Sequence, residues 1–138
     1  MIFRSLAARS LFMVSAGAAA IALSAGTANA SSYKYITSPS DSSIIVGTAQ
    51  FTSYGDELEV CDSREDGHAV SVAVYYSKPD PNNPVQAPVY TLKVGGYGNC
   101  AIHNASQAVT YDLSEGHTYW FAAGLNNGVR TVTWSDVA

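Results

Sequence analysis

The alternation of side chains over residues 70–76 is the feature that most constrains the fold. Apolar residues occupy every second position from Val70 to Tyr76, which is the period of a β-strand with one face against a core. The same alternation recurs over residues 107–113. No comparable apolar stripe has the 3.6-residue period of a helix. The sequence therefore predicts strands.

Composition supports an all-β fold. Residues 31–138 contain twelve Val, eight Thr and nine Tyr, against four Leu, and branched and aromatic side chains suit a pleated, half-buried surface. Asp66-Gly67 and Asn127-Gly128 are strong turn dipeptides. We predict an antiparallel β-sandwich of about seven strands, at residues 44–52, 57–62, 69–77, 89–94, 107–113, 118–124 and 129–135.

The chain divides into three parts. Residues 1–30 are typical of a secretory signal peptide, because two Arg precede an apolar, Ala-rich run that ends in Ala-Asn-Ala. We expect this segment to be cleaved and the product to be secreted and extracellular. Residues 31–43 are polar and contain Pro39, which predicts a flexible N-terminal arm. Residues 44–138 form the single sandwich domain.

After cleavage, five basic residues face eleven acidic ones, a formal net charge of −6. So acidic a product lacks the basic footprint needed for nucleic acid or anionic membranes. Six of the acids lie in residues 56–66. They predict either the solvated face of a strand, with Glu57 and Glu59 outward, or a calcium site. Arg64 and Ala73 occupy positions where an EF-hand loop needs acids, so we favour the solvated face and predict no metal and no cofactor.

The two cysteines predict one disulfide, Cys61 to Cys100, because a secreted chain with an even number of Cys is usually oxidised. The bond would join the second predicted strand to the loop before the fifth. Closing a loop of some 40 residues stabilises a domain by about 4 kcal/mol in the chain-entropy model. The alternative, a reactive thiol or metal ligand, lacks a supporting CxxC motif.

Residues 113–119, LSEGHTY, resemble the tyrosine corner of immunoglobulin-like and fibronectin-like sandwiches. Tyr119 would start the penultimate strand and tie its hydroxyl back to the preceding corner. The antibody signature is absent, because residue 121 is Phe where a Cys is expected. The resemblance therefore implies that the predicted sandwich of about seven strands is immunoglobulin-like, and it implies no antibody-like function.

Catalytic signatures are sparse. His68, His103 and His117 are spread along the chain without metal-ligand spacing, and no GxSxG motif marks a nucleophile. Composition alone leaves a Ser-His-Asp triad open, since its members meet in space. We predict a protein that is not an enzyme, with a small secreted hydrolase as the third-ranked hypothesis.

Two segments, YGDELEVCDSREDGH and LSEGHTYWFAAG, together with the signal and the arm, resemble a class of small secreted actinobacterial proteins with immunoglobulin-type sandwiches. The resemblance covers nearly the whole mature chain and implies no catalytic residue. Within this class the adaptor subunit of umbrella toxin particles is similar in size and layout. That subunit links a toxin stalk to a lectin-bearing subunit, and its extended N-terminal segment docks into the partner. The arm corresponds to that segment by position.

The leading functional hypothesis is a binding or adaptor protein with a secreted protein partner, such as toxin-particle subunits. Tyr33, Tyr35 and Ile36 would anchor the arm in a partner's groove, although a disordered leader explains the same polarity. The second hypothesis is an inhibitor of secreted proteases that uses the Pro-rich loop of residues 78–88. Neither Cys lies in that loop to hold it rigid.

Overall fold

The computed structural model describes residues 31–83, 85–126 and 128–138. The predicted signal peptide, residues 1–30, lies outside this part of the chain. The described residues form eight strands and no helix. The strands are β1 (Ser31–Thr37), β2 (Ile45–Thr52), β3 (Glu57–Asp62), β4 (Val70–Tyr75), β5 (Tyr90–Val94), β6 (Cys100–His103), β7 (Thr118–Leu125) and β8 (Arg130–Val137).

The strands form two antiparallel sheets of four. The first has the order β1-β2-β3-β6 and the second the order β5-β4-β7-β8. The chain crosses between the sheets after β3, after β5 and after β6. This is the pattern of an immunoglobulin-like sandwich in which β5, β4, β7 and β8 correspond to strands C′, C, F and G. The predicted all-β sandwich is confirmed, and β1 is an additional strand at the edge of the first sheet.

The core lies between the sheets, where alternate side chains of facing strands meet. Val70, Val72 and Val74 are fully buried, as their alternation predicts. Phe51 of the first sheet contacts Phe121 of the second, with ring centroids 4.8 Å apart. The predicted continuation to residue 76 is wrong, because β4 ends at residue 75 and the Tyr76 side chain is exposed.

The predicted strand over residues 107–113 is also wrong. These residues form turns closed by local hydrogen bonds, among them Tyr111 N–H to the Ala108 carbonyl at 2.9 Å. Val109 is 90% exposed, so its place in an alternating pattern reflects no buried face. The fourth strand of the first sheet is instead β6, which pairs with β3.

The prediction of a flexible arm is wrong for residues 31–37. This segment is β1 and pairs with β2 along its whole length. Ile36 is fully buried in the core. Pro39 lies beyond the strand, in a turn that the Ser38 N–H closes on the Ile44 carbonyl at 2.8 Å. The segment can be polar because β1 lies at the edge of its sheet and Ile36 is its one buried side chain.

Candidate interaction surface

One side of the first sheet faces away from the second sheet, and we call it the open face. Register and alternation define it, because Phe51, Leu58 and Val60 point into the core and their neighbours point outward. Two rows of opposite residues cross the four strands on this side: Tyr33, Gln50, Glu59 and Ile102, then Tyr35, Thr48, Cys61 and Cys100.

Two tyrosines stand at the β1 border of the open face. Tyr33 is 51% exposed and Tyr35 is 57% exposed, and their rings meet edge to face with centroids 5.3 Å apart. Ile36 follows on the opposite side of the strand, inside the core. The structure therefore separates the three residues predicted to bind a partner: the tyrosines face solvent, while Ile36 holds β1 to the domain.

The predicted disulfide is present between Cys61 and Cys100, 39 residues apart in sequence. Cys100 is the first residue of β6, rather than part of a loop, and lies directly opposite Cys61 on β3. The bond therefore links two neighbouring strands of the same sheet, and it lies on the open face. Glu59 lies close enough to both sulfurs to form, within the described residues, a possible group of metal ligands. Both sulfurs are bonded to each other, so the thiolates that a metal needs are not available.

The acidic stretch divides between surface and interior. Glu57 is exposed and Glu59 half-buried on the open face, while Leu58 and Val60 between them are fully buried. This is the solvated strand face that the sequence predicted. Asp56 differs from its neighbours, because it is only 1% exposed.

Asp56 was not singled out from sequence, yet it fixes a long connection. It lies in the β2–β3 turn with φ at 52°, a conformation that Asp and Asn adopt more readily than most residues. Its Oδ2 accepts the Leu113 N–H at 2.7 Å. Burial raises the pKa of the Asp56 carboxyl, against the lowering effect of that N–H. The Gly55-Asp56 pair was the available signal, since Gly and Asp together mark turns.

Tyr119 completes the anchoring of the same connection. Its side chain is 1% exposed, and its hydroxyl oxygen accepts the Ser114 N–H at 3.0 Å. This is the hydrogen bond that the tyrosine corner predicts. Two adjacent backbone N–H groups, at residues 113 and 114, are thus held by two buried side chains. The β6–β7 connection is fixed although it forms no strand.

The Pro-rich loop lies on the side of the second sheet. Gln86 braces it from within: its Nε2 donates to the Ser77 carbonyl at 3.1 Å, and its Oε1 accepts the Asp80 N–H at 2.9 Å. A cleft of about 500 Å³ opens between this loop and β8, and Arg130 contributes to its wall. The Lys78 ammonium lies 5.6 Å from the centroid of the Trp120 ring. The outer side of the second sheet is thus partly covered.

The three histidines occupy separate environments. The ring of His103 stacks on Tyr111 with centroids 4.0 Å apart, and His68 and His117 are exposed. Within the described part of the chain, none of them belongs to a group of three possible metal ligands. Residues 31–138, apart from positions 84 and 127, include no helix that could span a membrane.

Fold and surface together define an immunoglobulin-like β-sandwich with one disulfide and an open, tyrosine-bearing sheet face. Comparisons with protein-family models, with curated proteins and with solved structures find no match to this chain.

Proposed function

We propose that the protein is a secreted, non-enzymatic binding or adaptor protein that docks a protein partner on the open face of its first sheet. The observation that carries the proposal is the exposed pair Tyr33 and Tyr35 on a strand that pairs with β2 along its whole length. Tyrosine is enriched in protein interfaces, since its ring supplies a large contact area and loses little conformational entropy on binding. A strand that is already ordered lowers that entropy cost further.

The surroundings of the tyrosines extend the apolar contact area. Ile45 and Ile102 are 44% and 42% exposed, and by register both point to the same side of the sheet. Thr48 and Gln50 lie between them and can supply hydrogen bonds. A surface with aromatic and aliphatic side chains among polar ones resembles the usual composition of a protein interface.

A protein partner fits this surface better than a polysaccharide. The rings of Tyr33 and Tyr35 are inclined at 84° to each other, so they present one ring face and one ring edge. A flat sugar chain would need ring faces that lie in a common plane. Side chains of a protein partner can fill the corner between two perpendicular rings.

The sheet face is a better docking site than the β1 edge. A partner strand could pair with an exposed edge, but two features blunt this one. Lys34 lies on the inward side of β1, between Ser32 and Ile36, and the register shifts between Ile36 and Thr37. Inward charges and bulges are devices by which edge strands resist added strands. We therefore place the contact on the tyrosine side of β1.

Secretion and the adaptor role rest on other support. The signal-like segment, residues 1–30, lies outside the described residues, and the Cys61–Cys100 disulfide is compatible with an oxidising compartment. The resemblance to the adaptor subunit of umbrella toxin particles supports secreted toxin-particle subunits as the partner class. We place the docking residues on β1 itself, since the segment that corresponds by position to the adaptor's extended segment is paired there.

The protease-inhibitor hypothesis retains one supporting observation. Gln86 holds the loop of residues 78–88 in place by several hydrogen bonds, and a rigid loop binds a protease at low entropic cost. It ranks second, because the loop lies against the second sheet beside Arg130.

Partner capture from culture medium tests the proposal. Tagged wild-type protein, Tyr35→Thr and Tyr97→Thr would each be recovered from the medium of the organism that encodes the chain. Tyr97 is the matched control, since it is 66% exposed in a turn outside the open face. We expect the wild type and Tyr97→Thr to retain the same secreted protein and Tyr35→Thr to lose most of it. Equal recovery by all three would contradict the proposal, and a protease captured equally by all three would favour the inhibitor.

A further inference from the structure

The charge of the open face is entirely of one sign. The four strands of the first sheet are fully described, and their outward side chains include two carboxylates, Glu57 and Glu59, and no Lys or Arg. Glu59 lies in the same cross-strand row as Tyr33, with only Gln50 between them. The acids therefore stand in the middle of the face and the tyrosines at its border.

The basic residues of the described chain lie elsewhere. Lys34 is on the inward side of β1, and Arg64 is in the β3–β4 connection, 3.8 Å from an Asp66 oxygen. The other three are on the side of the second sheet. Lys93 points outward between the buried Leu92 and Val94, and the remaining two are Lys78 and Arg130, over the rings of Trp120 and Tyr75. Within the described residues, no basic side chain of the open face therefore offsets the charge of its two carboxylates.

From this arrangement we propose that the partner presents Arg or Lys side chains to the open face; the inference rests on the proposed function. A guanidinium can donate two N–H groups to the oxygens of one carboxylate and can also stack on an aromatic ring. Glu59 and Tyr33, two strands apart in one row, offer both kinds of contact. Complementary charge also speeds association and disfavours partners of the wrong sign.

A second copy of this chain in a two-fold, face-to-face arrangement is a poorer occupant. Glu57 and Glu59 of one copy would approach the same acids of the other, and opposed like charges destabilise an interface. A head-to-tail arrangement, with the open face of one copy against the second sheet of the next, where Lys78, Lys93 and Arg130 lie, is an outcome that the experiment distinguishes.

The test is an NMR titration of the disulfide-bonded domain with three designed twelve-residue peptides that share the same apolar residues. One carries four Arg, the second has Gln at those positions and the third has Glu. We expect the Arg peptide to shift the amide signals of β1 and β3 around Tyr33, Tyr35 and Glu59, and to bind more tightly than the Gln peptide. The Glu peptide should leave these signals unchanged.

Two double variants locate the charge effect. Glu57→Gln with Glu59→Gln should weaken binding of the Arg peptide about 2- to 30-fold, the value of two surface ion pairs, and added salt should also weaken binding. Glu65→Gln with Glu115→Gln is the matched control, because it removes two exposed charges outside the open face and should change affinity little.

Several outcomes would overturn the inference: equal binding of the Arg and Gln peptides, shifts confined to other parts of the surface, no shift at millimolar peptide, or self-association that Glu57→Gln with Glu59→Gln abolishes. Its failure is separable from that of the proposed function. If Tyr35→Thr loses the captured secreted protein while the glutamate double variant retains it, the docking face stands and the basic partner does not.

Discussion

At the scale of single residues, two buried side chains determine how the β6–β7 connection lies on the sandwich. Asp56 holds the Leu113 N–H and Tyr119 holds the Ser114 N–H. The hydrogen bonds come from opposite sides of the core, one from the β2–β3 turn and the other from β7. Each of the two hydrogen bonds can be tested by its own substitution.

Tyr119→Phe removes one hydroxyl without changing the packing of the ring. The Ser114 N–H would lose its partner but lies near the surface, where water can replace it. We expect a loss of about 1 kcal/mol in the free energy of unfolding, the usual net value of one hydrogen bond, with an unchanged circular dichroism spectrum. Tyr97→Phe, at an exposed position, should cost nothing measurable. Equal stabilities for the two variants would show that the tyrosine corner contributes no stability.

Asp56→Asn tests the buried carboxyl. Because burial raises the pKa of Asp56 above 3.8 in the folded protein, the folded state holds the proton more tightly than the unfolded state. The stability that Asp56 contributes is therefore complete below the unfolded pKa and is lost as pH rises through the folded pKa. An Asn side chain has nearly the same shape as Asp and keeps an oxygen that can accept the Leu113 N–H, but it carries no charge.

Urea unfolding of both proteins between pH 4 and pH 7 measures this effect. We expect the stability of Asp56→Asn relative to wild type to increase as pH rises. Other titrating groups are common to both proteins and cancel in the difference. A difference that stays constant, or that falls with pH, would mean that the carboxylate is better stabilised in the folded state than its burial indicates.

At the scale of elements, the sequence predicts strands well where alternation coincides with a buried face. β2, β3, β4, β5, β7 and β8 lie within two residues of the predicted strands at either end. Each has core neighbours on one side, so the apolar period has a direct physical cause. Turn dipeptides such as Asp66-Gly67 then limit where the strands can end.

β1 and β6 were not predicted, for a common reason. Both bury few side chains: Ile36 is the one buried residue of β1, and β6 has only four residues with none fully buried. Such strands are held by main-chain hydrogen bonds to a neighbour and show little apolar alternation, whereas β5, also an edge strand, alternates clearly and was predicted. Residues 107–113 show the converse, an alternating pattern with no neighbouring strand to pair with.

The candidate surface was predictable only in part. Composition and spacing identified Tyr33 and Tyr35, and the number of cysteines identified the disulfide. The face on which these groups meet depends on the register of β1 with β2 and of β3 with β6. Register is a long-range property that a single sequence does not reveal. Ile36 was misassigned because successive side chains of a strand point to opposite sides. Ile36 therefore points into the core, while Tyr35 points to the open face.

At the scale of the whole molecule, the first sheet has two sides of different composition. Its inner side closes the core with Ile36, Phe51 and Leu58, all fully buried. Its outer side carries the tyrosines, the disulfide and the two glutamates. The Cys61–Cys100 bond joins β3 to β6 and thereby fixes the far edge of the surface whose near edge is β1.

The proposed docking face requires that β1 is part of the sandwich and that its tyrosines point outward. The decisive measurement is the free energy of unfolding, in urea, of wild type, of Ile36→Ala and of the double variant Tyr33→Thr with Tyr35→Thr. Ile36→Ala should cost about 2–5 kcal/mol, because it empties a buried site. The tyrosine variant should cost only about 1 kcal/mol, the value of one exposed aromatic pair on a strand that Thr also suits. If Ile36→Ala costs no more than the tyrosine variant, residues 31–37 are a loose arm and the open face is not the surface described.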